Sequence, residues 1–187
     1  MKKKKIAILT STFLHYSGPD RVVEQQAKNY SKSGDKVTIF TLEATIKPSN
    51  FKLEVLGMPK SLFWQRLYRL FFFLDFIKIN KTAKKLKDYD IVISHQYPMN
   101  LISSKAKRKY NTKFIYHNHG IGYSELFSNF FERLYMKLFR YFNKLSLKNV
   151  DSAISISKFM QTELKRETGL DSIVVYNKIN KKRFRTD

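Results

Sequence analysis

The chain has no cysteine among its 187 residues. That removes disulfides, thiolate nucleophiles and zinc–thiolate sites from consideration, and it fits a reducing, cytoplasmic setting. Acidic residues are scarce: 15 Asp and Glu stand against 36 Lys and Arg, a formal net charge of +21. No close pair of carboxylates marks a glycosidase-type hydrolase. Glycine is limited to six residues and proline to four, so low-complexity and linker-rich organisation is excluded. There is no G-x-S-x-G elbow, no three-glycine dinucleotide fingerprint and no Gly-Lys-Ser/Thr phosphate loop. Long hydrophobic runs are also absent. The densest, Leu70–Leu74, stops at Asp75, and the apolar Ile6–Leu9 after basic Met1–Lys5 is too short for a signal peptide.

What is present reads as one domain with a real core. Hydrophobic residues make up 43% and aromatics 15% of the chain, enough to fill the interior of a globular α/β unit. The excess of positive charge calls for an acidic partner, whether phosphate groups, an anionic membrane or nucleic acid, unless it is only a compositional bias towards lysine. Specific nucleic-acid binding is not expected, because the aromatics follow helical spacing and no nucleic-acid motif occurs.

The stretch Lys4–Tyr30 reads as a buried strand (Ile6–Leu9), a Ser/Thr loop with Gly18-Pro19, and a helix opening near Asp20 with Val22, Val23, Ala27 and Tyr30 on its apolar face. Further strands are expected at 36–42, 51–56, 89–94, 113–117, 152–155 and 173–176. Helices are expected at 61–87 and 124–148 (both long), at 98–109, and at 157–168, where Ser157 is a candidate N-cap. Strands alternating with helices predict a Rossmann-like α/β domain, with a mainly parallel sheet and helices on both faces. The domain is expected to span 1–176, followed by a basic linker or tail at 177–187.

Two features carry chemistry. His15, His95, His117 and His119 each fall at or beyond the carboxyl end of an expected strand, the working edge of a parallel sheet. Polarising or hydrogen-bonding roles suit them, with structural histidines as the alternative. No metal is expected, for want of a third ligand beside His117 and His119. Gly18 either lets the backbone approach a sugar or phosphate closely or serves only a turn. The second feature is the pair of long aromatic-basic helices. In 124–148, Phe127, Phe131, Leu134, Leu138, Phe142 and Leu145 form one stripe, and Arg133, Lys137, Arg140 and Lys144 form another. That pattern suits an anionic membrane interface, the alternative being packing on the sheet.

Taken in order, several segments resemble the N-terminal half of a GT-B glycosyltransferase of family 4. Lys5–Leu9, Gly18-Pro19 and Val22–Ala27 resemble its opening strand, glycine loop and first helix. Gly34-Asp35-Lys36-Val37 resembles its entry into the second strand, and Asp90–His95 (DIVISH) its fourth. Tyr116–Gly120 (YHNHG) is similar to the strand end that carries the family's acceptor-side histidine, here His119. Asp151–Ser157 and Val174–Asn180 with Arg183-Phe184 resemble its closing segments. Gly18-Pro19 and Asn177-Lys178 depart from the family's Gly-Gly and Asn-Gly.

The resemblance implies retaining transfer of a sugar from a nucleotide-sugar, which acts as a substrate with no separate cofactor, to a lipid-linked or cell-envelope acceptor. It implies His119 as the catalytic-site histidine, with His15, Gly18, Pro19, His95, His117, Gly120 and Ser157 on the acceptor side. The family's donor-binding second domain has no counterpart in these residues. Either a C-terminal domain or a second chain would have to supply it, and without it little activity is expected. The rival reading is a non-catalytic basic α/β binding partner. The expected location is cytoplasmic, peripheral on the inner face of the membrane.

Overall fold

The computed structural model describes residues 3–14, 17–120 and 122–177. Seven strands, all parallel, form one sheet in the order β3-β2-β1-β4-β5-β6-β7. They are β1 (Lys5–Phe13), β2 (Lys36–Ala44), β3 (Lys52–Val55), β4 (Ile91–Ser94), β5 (Lys113–Asn118), β6 (Ser152–Ser155) and β7 (Ser172–Val174). The order reverses between β1 and β4. At such a point a crevice opens outside the carboxyl ends of the strands.

The helices are α1 (Gly18–Lys32), α2 (Leu62–Leu70), α3 (Phe76–Leu86), α4 (Met99–Tyr110), α5 (Phe130–Ser146) and α6 (Lys158–Thr168). The period-two alternation of the strands splits the core. Ile6, Ile8, Ile39 and Ile93 face α1 through Val23 and Ala27. Ala7, Leu9, Phe40 and Val92 face α3 and α4 through Ala83, Leu86, Ile102 and Ala106. Phe114, Tyr116 and Ala153 pack with Leu147 and Leu164.

Three aspartates that precede strands close the amino edge of the sheet. The Asp35 carboxylate accepts from Lys4 N–H at 3.0 Å, Asp90 from Lys5 N–H at 2.7 Å and Asp151 from Phe114 N–H at 2.7 Å. Each satisfies a backbone donor that the ladder leaves free. The aspartates of the Gly34–Val37, Asp90–His95 and Asp151–Ser157 segments therefore have a structural purpose.

Both long helices expected from the sequence are broken. The segment 61–87 divides into α2, a 3-10 turn at Phe72–Leu74, and α3. Its apolar residues exceed one helical face. The break turns Phe72 into the core, fully buried beside Ile79, Ala83 and Leu86. Asp75 makes the break cheap: its side chain caps α3 by accepting from Lys78 N–H at 3.0 Å, and also accepts from Tyr68 Oη at 2.7 Å.

The segment 124–148 begins with a 3-10 turn at Ser124–Leu126, and α5 starts only after Asn129, whose side chain accepts from Phe131 N–H at 2.8 Å. The stripe drawn through Phe131 is not the buried face. Phe131 is 76% exposed, and α5 instead buries Asn143, Ser146 and the adjoining Leu147. There Asn143 Oδ1 accepts from Asn100 Nδ2 at 2.9 Å, beside the contacts of Phe139 and Phe142 with the Tyr97 ring. Elsewhere the caps are as expected. Ser157 Oγ accepts from Met160 N–H at 3.1 Å at the start of α6, and Gly169, at φ +78°, ends it.

Candidate functional site

Strand alternation decides where the histidines go. His95 continues the parity of Ile91 and Ile93, and His117 and His119 that of Ile115, so all three fall on the α1 side at the carboxyl edge of β4 and β5. The three rings stand together, with centroids 5.0 Å apart for His95–His117, 5.0 Å for His95–His119 and 4.6 Å for His117–His119. His95 and His117 are buried, and His119 is partly exposed. His15 lies outside the described residues.

Gln26, on the third turn of α1, ties the group together. Its Nε2 lies 2.8 Å from His117 Nδ1 and its Oε1 lies 3.1 Å from His95 Nε2. His95 Nδ1 lies 2.7 Å from His119 Nε2. Buried His117 Nε2 has no partner among the described residues. Sequence reasoning missed Gln26. Its signal was position: it occupies the i+3 slot of the buried Val23/Ala27/Tyr30 stripe, where an apolar residue is the default.

The cluster is held uncharged. Burial lowers all three imidazole pKa values. It takes His117 to about 4; His119, further lowered by the charge that His117 would carry, goes to about 3. His95 falls well below its ordinary value through burial and through His119 and His117. Neutral imidazoles accept as well as donate hydrogen bonds, and they ligate metals.

His95 supplies the third imidazole that the sequence did not reveal, and one nitrogen from each ring lies within 4.8 Å of the others. Three neutral imidazoles could hold zinc. Yet the 2.7 Å contact between His95 and His119 is closer than about 3.3 Å, the separation expected for two nitrogens bonded at 2.0–2.1 Å to one tetrahedral zinc. A hydrogen bond accounts for it directly.

The other expected residues fall into three groups. Gly18 and Pro19 form the first turn of α1. Gly18 has open space where a Cβ would point, which leaves room for a ligand. The helix start is closed by its own chain: Ser17 Oγ accepts from Asp20 N–H, and the Asp20 carboxylate accepts from Leu14 N–H at 2.8 Å and from Thr12 Oγ1 at 3.2 Å. Gly120 follows His119 at φ +83°, and a Cβ there would collide with Met160 Sδ. Ser157 is engaged as the α6 cap.

Of the basic stripe, Arg133, Lys137 and Lys144 are exposed. Arg140 instead pairs with Glu167 and lies over the Tyr123 ring at 4.7 Å. Arg140 and Lys137 line a cleft of about 400 Å³ with Tyr123, Ser124, Glu125 and Arg166. A cleft of about 920 Å³ lies at the opposite end of β1–β3 among Lys5, Lys36, Lys52 and Lys85, away from the histidines.

A family profile described as Glycosyltransferase Family 4 matches residues 16–183. No curated protein sequence matches the chain. Among solved structures, Anabaena Alr3699/HepE in complex with UDP and glucose superposes with a TM-score of 0.65 at 16% identity, covering 98% of this chain and 47% of that one. Sucrose-phosphate synthase from Thermosynechococcus elongatus gives 0.73 at 16% identity, covering 97% and 50%. WaaG, a glycosyltransferase involved in lipopolysaccharide biosynthesis, gives 0.66 at 12%, covering 95% and 46%. The chain thus spans about half the length of these structures and shares with them the fold of an N-terminal GT-B domain.

Proposed function

The chain belongs to glycosyltransferase family 4, and from that premise we propose that it forms the acceptor-side half of a retaining glycosyltransferase. It would transfer a sugar from a nucleotide-sugar to a lipid-linked or cell-envelope glycan. The observation that carries this reading is the neutral histidine cluster at the carboxyl edge of β4 and β5, beside the reversal of strand order between β1 and β4, with His119 its most exposed member. A sugar presents hydroxyls, and neutral imidazoles match them without needing an opposite charge. His119 contacts the acceptor or the transferred sugar, and the open space at Gly18 admits the acceptor or the donor phosphates. The donor domain is supplied by further chain or by a second protein, and turnover requires it.

A cell-envelope acceptor also suits the exterior. Helices α2 and α5 lie side by side: Arg66 pairs with Glu132 at 3.2 Å and sits over Tyr135 at 4.9 Å, while Phe73 meets Phe142 at 4.8 Å. Around this contact Leu62, Phe63, Trp64, Phe130 and Phe131 are exposed. Among the described residues no helix is long and apolar enough to cross a membrane. Aromatic side chains flanked by Arg133, Lys137 and Lys144 suit a helix pair lying in an anionic interface. We therefore place the protein peripherally on the cytoplasmic face of a membrane.

The test is glycosyl transfer from a panel of UDP- and GDP-sugars to lipid-linked acceptors, after joining the chain to a family donor domain. Transfer from one donor class supports the reading, and none from any donor counts against it.

A further inference from the structure

Gln26 stands between two rings, His95 and His117, that no other described group links by hydrogen bonds to both, and its amide has a fixed polarity. The NH₂ group only donates and the carbonyl only accepts. With Nε2 of Gln26 facing His117 Nδ1, that nitrogen would carry the lone pair and the His117 proton would sit on Nε2. Because Oε1 faces His95 Nε2, that nitrogen carries a proton. A neutral His95 then has a bare Nδ1, which accepts from His119 Nε2–H. A neutral His119 is left with a bare Nδ1, which has no partner among the described residues. One amide orientation therefore determines the protonation of three imidazoles.

We propose that Gln26 is a positioning residue whose side-chain amide holds His95, His117 and His119 in a single hydrogen-bond direction, so that His119 meets the ligand as an acceptor. The group that docks on His119 is then a donor, a sugar hydroxyl, and not a phosphate oxygen. This rests on the sugar-transfer reading for the nature of the ligand, whereas the hydrogen-bond direction stands on the chain's own geometry. A reversed amide would reverse every proton in the series and make His119 Nδ1 a donor. The neutral state of the cluster is what makes the direction matter, since a doubly protonated ring donates from both nitrogens.

The experiment is long-range 1H–15N correlation NMR on the full 15N-labelled chain at pH 7, with each ring assigned by single histidine substitutions. The expected result is the Nε2–H tautomer at His95, His117 and His119. In Gln26→Glu both side-chain oxygens accept, so His117 acquires a proton at Nδ1 while the backbone spectrum stays folded. A merely structural contact would leave the tautomers unchanged. Nδ1–H tautomers at the three rings of the wild type, or no response of His117 to Gln26→Glu, overturns the proposal. So does uptake of one zinc ion per chain that replaces the His95–His119 hydrogen bond. Failure of glycosyl transfer would leave these spectra unaltered, which separates this proposal from the function itself.

Discussion

Gly120 packs directly on Met160, so a side chain at position 120 would have to push the Met160 thioether aside. A Cβ on Gly120 would overlap Met160 Sδ, and the backbone there has φ +83°. Asn118 holds the same turn, accepting from Gly120 N–H at 2.9 Å and donating to the Met160 carbonyl at 3.1 Å. The turn fixes the strand end that carries His119. Gly120→Ala should destabilise the fold by about 1–3 kcal/mol, from left-handed strain plus overpacking. Adding Met160→Ala should recover only the overpacking part. Urea unfolding of the single and double variants checks this.

The strand-capping aspartates predict a graded loss of stability. Asp90 accepts the Lys5 N–H at 2.7 Å, and Asp90→Ala leaves that donor at the end of the central strand without its partner. The expected cost is about 1.5 kcal/mol, the low end of the range for a hydrogen bond to a charged group, because the bond is exposed. Asp35→Ala, on an equally exposed but longer bond of 3.0 Å, should cost less. Chemical denaturation midpoints of the two variants measure the difference, and equal losses would contradict the assignment.

The buried histidines set a pH dependence. Their folded-state pKa values lie below the unfolded value of 6.5, with His117 at about 4 and His119 at about 3. The unfolded chain therefore binds more protons between those limits. Stability is fully present above pH 6.5 and falls as pH drops from there towards 4 and 3. For His117 alone the depression corresponds to about 3 kcal/mol. Unfolding free energies at pH 7.5, 6, 5 and 4 should decline, and less steeply in His117→Gln. Parallel profiles for the two proteins would contradict the neutral cluster.

The aromatic surface of α2 and α5 predicts membrane binding that is separable from folding. Phe63, Trp64, Phe130 and Phe131 are all exposed, so replacing them with serine should leave the unfolding midpoint nearly unchanged. Flotation with anionic liposomes should fall at least tenfold in the same variant. Arg133→Gln with Lys144→Gln should weaken binding to anionic vesicles chiefly at low salt. Equal absence from anionic and neutral vesicles in the unaltered protein would contradict the membrane assignment.

Much of the fold was legible because its signals are local. Continuous apolar runs such as Ile6–Leu9 mark strands buried on both faces, and Ser157 and Gly169 mark the limits of α6. The breaks in 61–87 and 124–148 were not legible by periodicity. Phe72 belongs to the core and Asp75 to a cap, and only tertiary packing decides between a continuous helix and a kinked pair. For the site, strand ends and parity brought His117 and His119 together. His95 and Gln26 lie 69 residues apart and meet only through the sheet order, which no spacing rule encodes. Ser157 stood out in the sequence as a helix cap and is one, whereas the backbone bond that Asp90 makes to Lys5, 85 residues away in sequence, was not legible.

His119 is proposed to act on a sugar at the carboxyl edge of β4 and β5. The most direct measurement compares the chain and its His119→Ala variant, each joined to the same donor domain, in transfer from the preferred nucleotide-sugar. Nucleotide-sugar binding should be unchanged while the transfer rate falls about 10²-fold, the scale of a lost polar group acting on the reacting centre. Equal transfer rates for the two proteins would contradict it.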